Sequence, residues 1–132
     1  MFSIDDKQPV NLIKQLSPLN LAFIGDAVHT LFVRQQFLHS SDEKVGSLNK
    51  KVAEVVCAKN QAEIIDKLMP LLTEEEKAIF KRGRNTKKGT RAKNASVAEY
   101  NKSTGFEAVV GYLYLSGQME RLNFLLNYKE QL

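Results

Sequence analysis

Apolar residues return every three or four positions along most of this chain, and no clear residue-by-residue alternation of a strand interrupts them, so the pattern predicts an all-α fold. Ser17-Pro18 joins a capping hydroxyl to a residue suited to the first helical turn. A helix over residues 18 to 38 follows, on which Leu21, Phe23, Ile24, Ala27, Val28, Leu31 and Phe32 form one broad apolar face, the pattern of a helix at the centre of a small core. The polar cluster His39-Ser40-Ser41-Asp42 closes it. A second helical region, over about 43 to 69, repeats Leu48, Val52, Val55, Val56, Ala62, Ile65 and Leu68 at helical spacing, with room for a break between two pieces, and Pro70 ends it.

Thr73 followed by Glu76 fits a capping box, which predicts a helix over about 74 to 83. Gly83 and Gly89 offer turn conformations, so residues 84 to 94 read as an exposed loop. Asn94-Ala95-Ser96 opens a helix over about 96 to 116, and Gly117 separates it from a last one over about 118 to 129. No internal repeat is present.

A chain of 132 residues is long enough to bury about two thirds of its unfolded surface, and one domain over 1 to 132 is expected. With no long apolar stretch and no leader-like N-terminus, a soluble, cytoplasmic protein without a membrane partner is expected. One cysteine and two histidines cannot build a clustered thiolate or imidazole zinc site. Cys57, within Val55-Val56-Cys57-Ala58, is expected to be a core thiol rather than a nucleophile.

The net charge of +4 changes meaning once it is located. Residues 81 to 94 carry seven of the 19 basic side chains and no acid, namely Lys81, Arg82, Arg84, Lys87, Lys88, Arg91 and Lys93. The rest of the chain has 12 basic residues against 15 acidic ones, a net of −3. A concentrated positive segment on a slightly acidic body points to a polyanion.

Two carboxylates stand alone in apolar helices. Between Leu21 and Val33 the acid is Asp26, and between Gly105 and Leu115 it is Glu107. On a helical wheel Asp26 lies away from the broad apolar face, near Ala22, His29, Thr30 and Val33, while Glu107 shares its face with Ser103, Thr104 and Gly111. Two helices facing each other through such positions could place both carboxylates around one hard cation. Each could equally sit on the wet side of its own helix. The basic segment raises the weight of the cation reading and leaves the other open, because phosphodiester cleavage needs a phosphate-holding surface as well as metal-bearing carboxylates.

Leu19-Asn20-Leu21-Ala22-Phe23-Ile24-Gly25-Asp26-Ala27-Val28 resembles the signature helix of the ribonuclease III family, whose Phe-Leu-Gly-Asp-Ala core carries a metal-binding aspartate. Lys81-Arg82-Gly83-Arg84-Asn85 resembles the family's basic turn. The run from Thr104-Gly105-Phe106-Glu107-Ala108 to Leu115 resembles its second signature helix, with a metal-binding glutamate. Three segments in register cover essentially the whole chain. The sequence stops where full-length members begin a separate double-stranded RNA-binding domain, and this, with Ala22, resembles the family's Mini branch. Full-length members have glutamates at the positions of Leu19 and Ala22 and an aspartate at that of Thr104, so only Asp26 and Glu107 carry over as catalytic metal ligands.

The resemblance implies a magnesium-dependent (Mg2+) endoribonuclease, homodimeric, with one Asp26 and Glu107 site per subunit, cutting both strands of double-stranded RNA to leave 5′-phosphate and 3′-hydroxyl ends. It further implies maturation of precursor 23S ribosomal RNA, with ribosomal proteins as candidate partners. The seven basic residues are the expected RNA-binding set, gripping phosphates and 2′-hydroxyls without reading sequence. His29 is expected to pack or to support a ligand rather than to catalyse. A non-catalytic RNA- or ribosome-binding protein on the same fold is the alternative, and a small DNA-binding module, which would carry its basic residues on a recognition helix, comes third.

Overall fold

The computed structural model describes residues 2–40, 43–88 and 95–128. Its described residues form helices α1 (Val10–Gln15), α2 (Pro18–Ser40), α3 (Val45–Val56), α4 (Ala58–Leu68), α5 (Glu74–Asn85), α6 (Val97–Leu115) and α7 (Met119–Leu126), with a 3₁₀ turn at Met69–Leu71 and no strand. The all-α expectation holds. Helix α1 was not anticipated from the pattern; its Ile13, fully buried, anchors it to the core.

Local chemistry explains the boundaries. The Ser17 hydroxyl accepts from the Asn20 amide at 3.1 Å at the start of α2. Reciprocal capping boxes start α5, through Thr73 and Glu76, and α6, through Ser96 and Glu99. The break foreseen between 43 and 69 falls at Cys57, whose extended backbone (φ −69°, ψ 156°) ends α3 and starts α4. Its thiol is exposed and donates to the Glu54 carbonyl, so the expectation of a core thiol is corrected: a residue between two helices points where neither packs. Gly117 ends α6 in the left-handed region (φ +73°).

Helix α6 is the axis of the fold. It is apolar around most of its circumference, as a helix covered on several sides must be, and Ser103–Phe106 together with Ala108–Leu113 are buried. It packs most extensively on α2, then on α5 and α4. The near contact of α2 and α6 has a backbone cause. A Cβ placed on Gly25 would lie 1.8 Å from the Glu107 carbonyl oxygen, and one on Gly111 would lie 2.0 Å from that of Leu21. Only hydrogen fits there.

This crossing corrects the wheel drawn for α2. The buried stripe is Leu21, Ala22, Gly25, His29 and Val33, and it meets α6 through Leu21, Gly25 and His29. Of the broad apolar face expected to be core, Phe23 is 77% exposed and Leu31 52% exposed, and Ala27 is exposed as well. Counting large apolar side chains favoured the wrong face, because the tightest interface uses the smallest residues.

Glycine is also reassigned at position 83. Gly83 is helical and buried, and its Cβ would lie 2.9 Å from the Gly105 Cα, so it lets α5 lie close against α6 rather than turning the chain. Helix α5 continues to Asn85, which puts Arg84 on the helix and not in the loop expected from 84 onward. The α5 end of the fold is tied to α7 by Arg121, which donates to Glu76 Oε1 at 2.8 Å and Oε2 at 2.9 Å and to the Leu71 carbonyl.

The glycine crossing makes a graded stability prediction. Gly111→Ala is expected to lower stability by about 1–3 kcal/mol in urea unfolding, because the helices must separate to admit the methyl group. Gly46→Ala, at a helical position with nothing within 4 Å, is expected to leave stability unchanged or raise it by up to about 1 kcal/mol. Equal effects at the two positions would contradict the close approach.

Candidate active site

The crossing of α2 and α6 places Asp26 and Glu107 side by side. Asp26 directly follows Gly25, and Glu107 is one turn before Gly111, so the residues that bring the helices together flank the residues that carry charge. Asp26 is exposed, and Glu107 is half-buried between α2 and α4. Burial first, then the hydrogen bond and charge of Asp26, push the Glu107 carboxyl up to about 9, with a donor from Gln61 opposing. An exposed carboxylate pressed against a half-buried one is an unfavourable arrangement for the protein alone and a fitting one for a divalent cation. Among the described residues no group of three or more His, Cys, Asp or Glu side chains forms a metal cluster, so the pair is the donor set on offer.

Behind Glu107 lies a polar network in an otherwise apolar core. The Gln61 side chain, from α4 and 1% exposed, places Nε2 2.9 Å from His29 Nδ1 and 3.4 Å from Glu107 Oε2. Its Oε1 accepts from the Ser103 hydroxyl at 2.9 Å. His29 packs edge-on to Phe106, with centroids 5.0 Å apart. Burial drives the imidazole down to about 4, against a small opposing pull from Asp26, so it is neutral at physiological pH. It sits in the core as a hydrogen-bonded neighbour of the site. Sequence reasoning missed Gln61, since a glutamine inside an amphipathic helix carries no signal of its own.

The other positions where full-length ribonuclease III members carry acids offer no carboxylate. Ala22 is buried in the crossing. The Thr104 hydroxyl donates to the Tyr100 carbonyl of its own helix at 3.1 Å. Leu19 is 41% exposed and apolar.

The basic set is spread around the end of α5. Lys81 and Lys87 are exposed. Arg82 donates to the carbonyls of Lys14 and Leu16, tying α5 to the end of α1. Arg84 lies 5.5 Å over the Phe80 ring. Lys88 folds back onto the carbonyls of Gly83, Arg84 and Thr86, capping α5. Arg91 and Lys93 lie outside the described residues. Because Gly83 rests on Gly105, this basic end is held beside the stretch of α6 that carries Glu107.

A pH dependence follows from the two shifts. His29 is held neutral in the folded chain from its ordinary 6.5 down to about 4, so its contribution is lost as pH falls through that window. Glu107 keeps a proton in the folded chain from its ordinary 4.5 up to about 9, so stability falls as pH rises through that window. Below 6.5 the two slopes oppose each other. Above it, unfolding in a chelator is expected to show stability falling toward pH 9, by at most about 1.4 kcal/mol per pH unit for one proton. Glu107→Gln is expected to abolish that fall, and an unchanged slope in the variant would show that Glu107 is not the titrating group.

Comparison with known proteins identifies the family. The Ribonuclease III domain model matches residues 19–118, which hold both carboxylates and the basic turn. The chain is 46% identical over 119 residues to the Mini-ribonuclease 3 of Thermoanaerobacter sp., covering 90% of this chain and 84% of that one. It is 45% identical over 124 residues to the Mini-ribonuclease 3 of Staphylococcus aureus, covering 92% of each. A crystal structure of a protein from Fusobacterium nucleatum superposes with a TM-score of 0.80 at 37% identity, covering 87% of this chain and 92% of that one. With a Ribonuclease III domain matched over residues 19–118 and Mini-ribonuclease 3 relatives similar over most of their length, the chain belongs to the ribonuclease III domain family and stands among its Mini-ribonuclease 3 endoribonucleases.

Proposed function

We propose that this endoribonuclease cuts double-stranded RNA at a magnesium site formed by Asp26 and Glu107, and that its substrate is the paired ends of precursor 23S ribosomal RNA. The observation that carries the reading is the meeting of these two carboxylates at the α2 and α6 crossing, with Glu107 pushed up to about 9 by burial and by Asp26. Magnesium bound between them would supply Lewis-acid activation of a water and charge stabilisation at the scissile phosphate. Asp26, on the exposed side, faces the substrate. Glu107, on the inner side, is steadied by the core. His29 is buried, engaged by Gln61 and lowered to about 4, so it is too weak a base and too far inside the core to deprotonate water.

The basic end of α5 supports the choice of a duplex. Lys81 and Lys87 are exposed at the end of the helix whose Gly83 rests on Gly105 of α6, and they offer charge to phosphates without aromatic stacking platforms for single strands. The set of Lys81, Arg82, Arg84, Lys87, Lys88, Arg91 and Lys93 is the proposed RNA-binding surface. Arg82 and Lys88 hold backbone carbonyls in the free chain, so their engagement with RNA exchanges one set of acceptors for another.

We further propose that the chain works as one catalytic domain, in the cytoplasm, as a homodimer whose two sites cut opposite strands, with ribosomal proteins as partners on the precursor particle. No helix among the described residues is long and apolar enough to cross a membrane. The apolar face that α2 turns outward supports the dimer. Ile24, Ala27, Val28, Leu31 and Phe32 line a groove of roughly 320 Å³ beside α7, and Phe23 and Leu31 are exposed on the same helix. A two-fold axis makes such a face its own partner.

Two experiments test the proposal. The native protein is expected to cut a long RNA duplex only with magnesium, and Asp26→Asn is expected to fold and bind RNA but to cut more than about a hundredfold more slowly, since loss of mere ligand-supporting groups already costs about 10–100-fold. Binding without cutting by both proteins would instead indicate a non-catalytic RNA-binding role. In sedimentation the native protein is expected at twice the chain mass and Leu31→Asp at the chain mass; a native monomer, or a variant that stays dimeric, would remove this face as the interface.

A further inference from the structure

Gln61 is a polar side chain with no place in the chemistry described so far, yet it touches Glu107 and bonds both helices of the crossing, through His29 on α2 and Ser103 on α6. It lies on α4, is 1% exposed, and would cost free energy as an unpaired amide in the core. Its hydrogen bonds use both ends of the amide. Ser103 and Glu107, one turn apart on α6, hold it from two sides: the Ser103 hydroxyl donates to Oε1 at 2.9 Å, and Nε2 donates to Glu107 Oε2 at 3.4 Å. The second Nε2 hydrogen goes to His29 Nδ1 at 2.9 Å, three residues past Asp26 on α2.

With Glu107 ionised, as a bound cation requires, this network has one consistent orientation. A carboxylate next to Nε2 accepts, a hydroxyl next to Oε1 donates, and His29 must then receive at Nδ1 and carry its proton on Nε2. One amide therefore joins a Glu107 oxygen to the helix that carries Asp26. The 3.4 Å bond to Glu107 is long, which suits a donor that steadies an oxygen without competing with a cation for it.

Resting on the magnesium reading above, we infer that Gln61 is a positioning residue of the metal site, holding Glu107 Oε2 through its amide while Ser103 and His29 fix that amide. In metal sites such supporting partners matter nearly as much as the ligands, and their loss typically costs about 10–100-fold in metal affinity or activity. The ordinary alternative is that Gln61 is a satisfied core polar group that specifies how α4 packs and nothing more.

The test reads cation binding apart from catalysis, with Mn2+ as a spectroscopic probe in place of magnesium. By electron paramagnetic resonance of free Mn2+, Gln61→Leu is expected to bind about tenfold more weakly than the native protein. At saturating metal its kcat on duplex RNA is expected to fall by about tenfold or more with KM for RNA unchanged. Ser103→Ala, which frees the amide to rotate, is expected to shift both readings in the same direction by a smaller factor, and the double variant to be no worse than Gln61→Leu alone. Ile65→Val, which trims a methyl group from the same helix, controls for packing: it is expected to lower Tm while leaving Mn2+ affinity unchanged.

Native Mn2+ affinity and kcat in Gln61→Leu, or an equal loss in Ile65→Val, would overturn the inference while leaving the magnesium nuclease intact. If Gln61→Leu does not fold, Ser103→Ala decides, and an unchanged affinity there overturns it. A native protein that neither binds Mn2+ nor cuts would overturn the magnesium reading and this inference with it.

Discussion

Two helices can approach until their backbones touch only where neither carries a side chain, and the contact between α2 and α6 is built on that condition. Gly25 and Gly111 each face a carbonyl oxygen of the opposite helix at a distance that leaves no space for a Cβ. The rest of the molecule is arranged around this line. Helix α6 is buried on several sides because α2, α4 and α5 all pack on it, and Gly83 against Gly105 repeats the same device on the α5 side. Close approach is what turns two isolated carboxylates on separate helices into a pair.

The pair is costly to the folded chain. Coulomb repulsion and desolvation act together on Glu107, and the protein answers with a protonated carboxyl at neutral pH and a single amide donor from Gln61. On the proposed magnesium reading, such strain sits where function needs it. A cation that neutralises the pair relieves it, so binding and stability are linked in sign. The neutral His29 and the Ser103 hydroxyl keep the surrounding core polar only where each group has a partner.

Much of this was legible in the residues. The helix boundaries at Ser17-Pro18, Thr73 with Glu76, and Gly117 follow from local capping and turn chemistry, which does not depend on distant contacts. Asp26 and Glu107 stood out because an acid in an apolar run is expensive without a purpose. The inward face of α2 was not legible, since hydrophobicity ranks Phe23 and Leu31 above Gly25 and Ala22, whereas the interface selects for small size. For the same reason Gly83 looked like a turn. Cys57 looked like core because its neighbours are apolar, although it occupies the one extended residue between α3 and α4. Gln61 was invisible because its role depends on three helices that only the tertiary fold brings together.

The central claim is that the helix crossing makes Asp26 and Glu107 a single cation site, and proton release on binding measures it most directly. Magnesium titrated calorimetrically at pH 7.5, in two buffers of different ionisation enthalpy, reports how many protons leave per cation. Because Glu107 is protonated up to about 9 in the free chain, close to one proton per bound cation is expected, and none from Glu107→Gln. Magnesium binding without proton release, or release that persists in Glu107→Gln, would contradict a site formed by this pair.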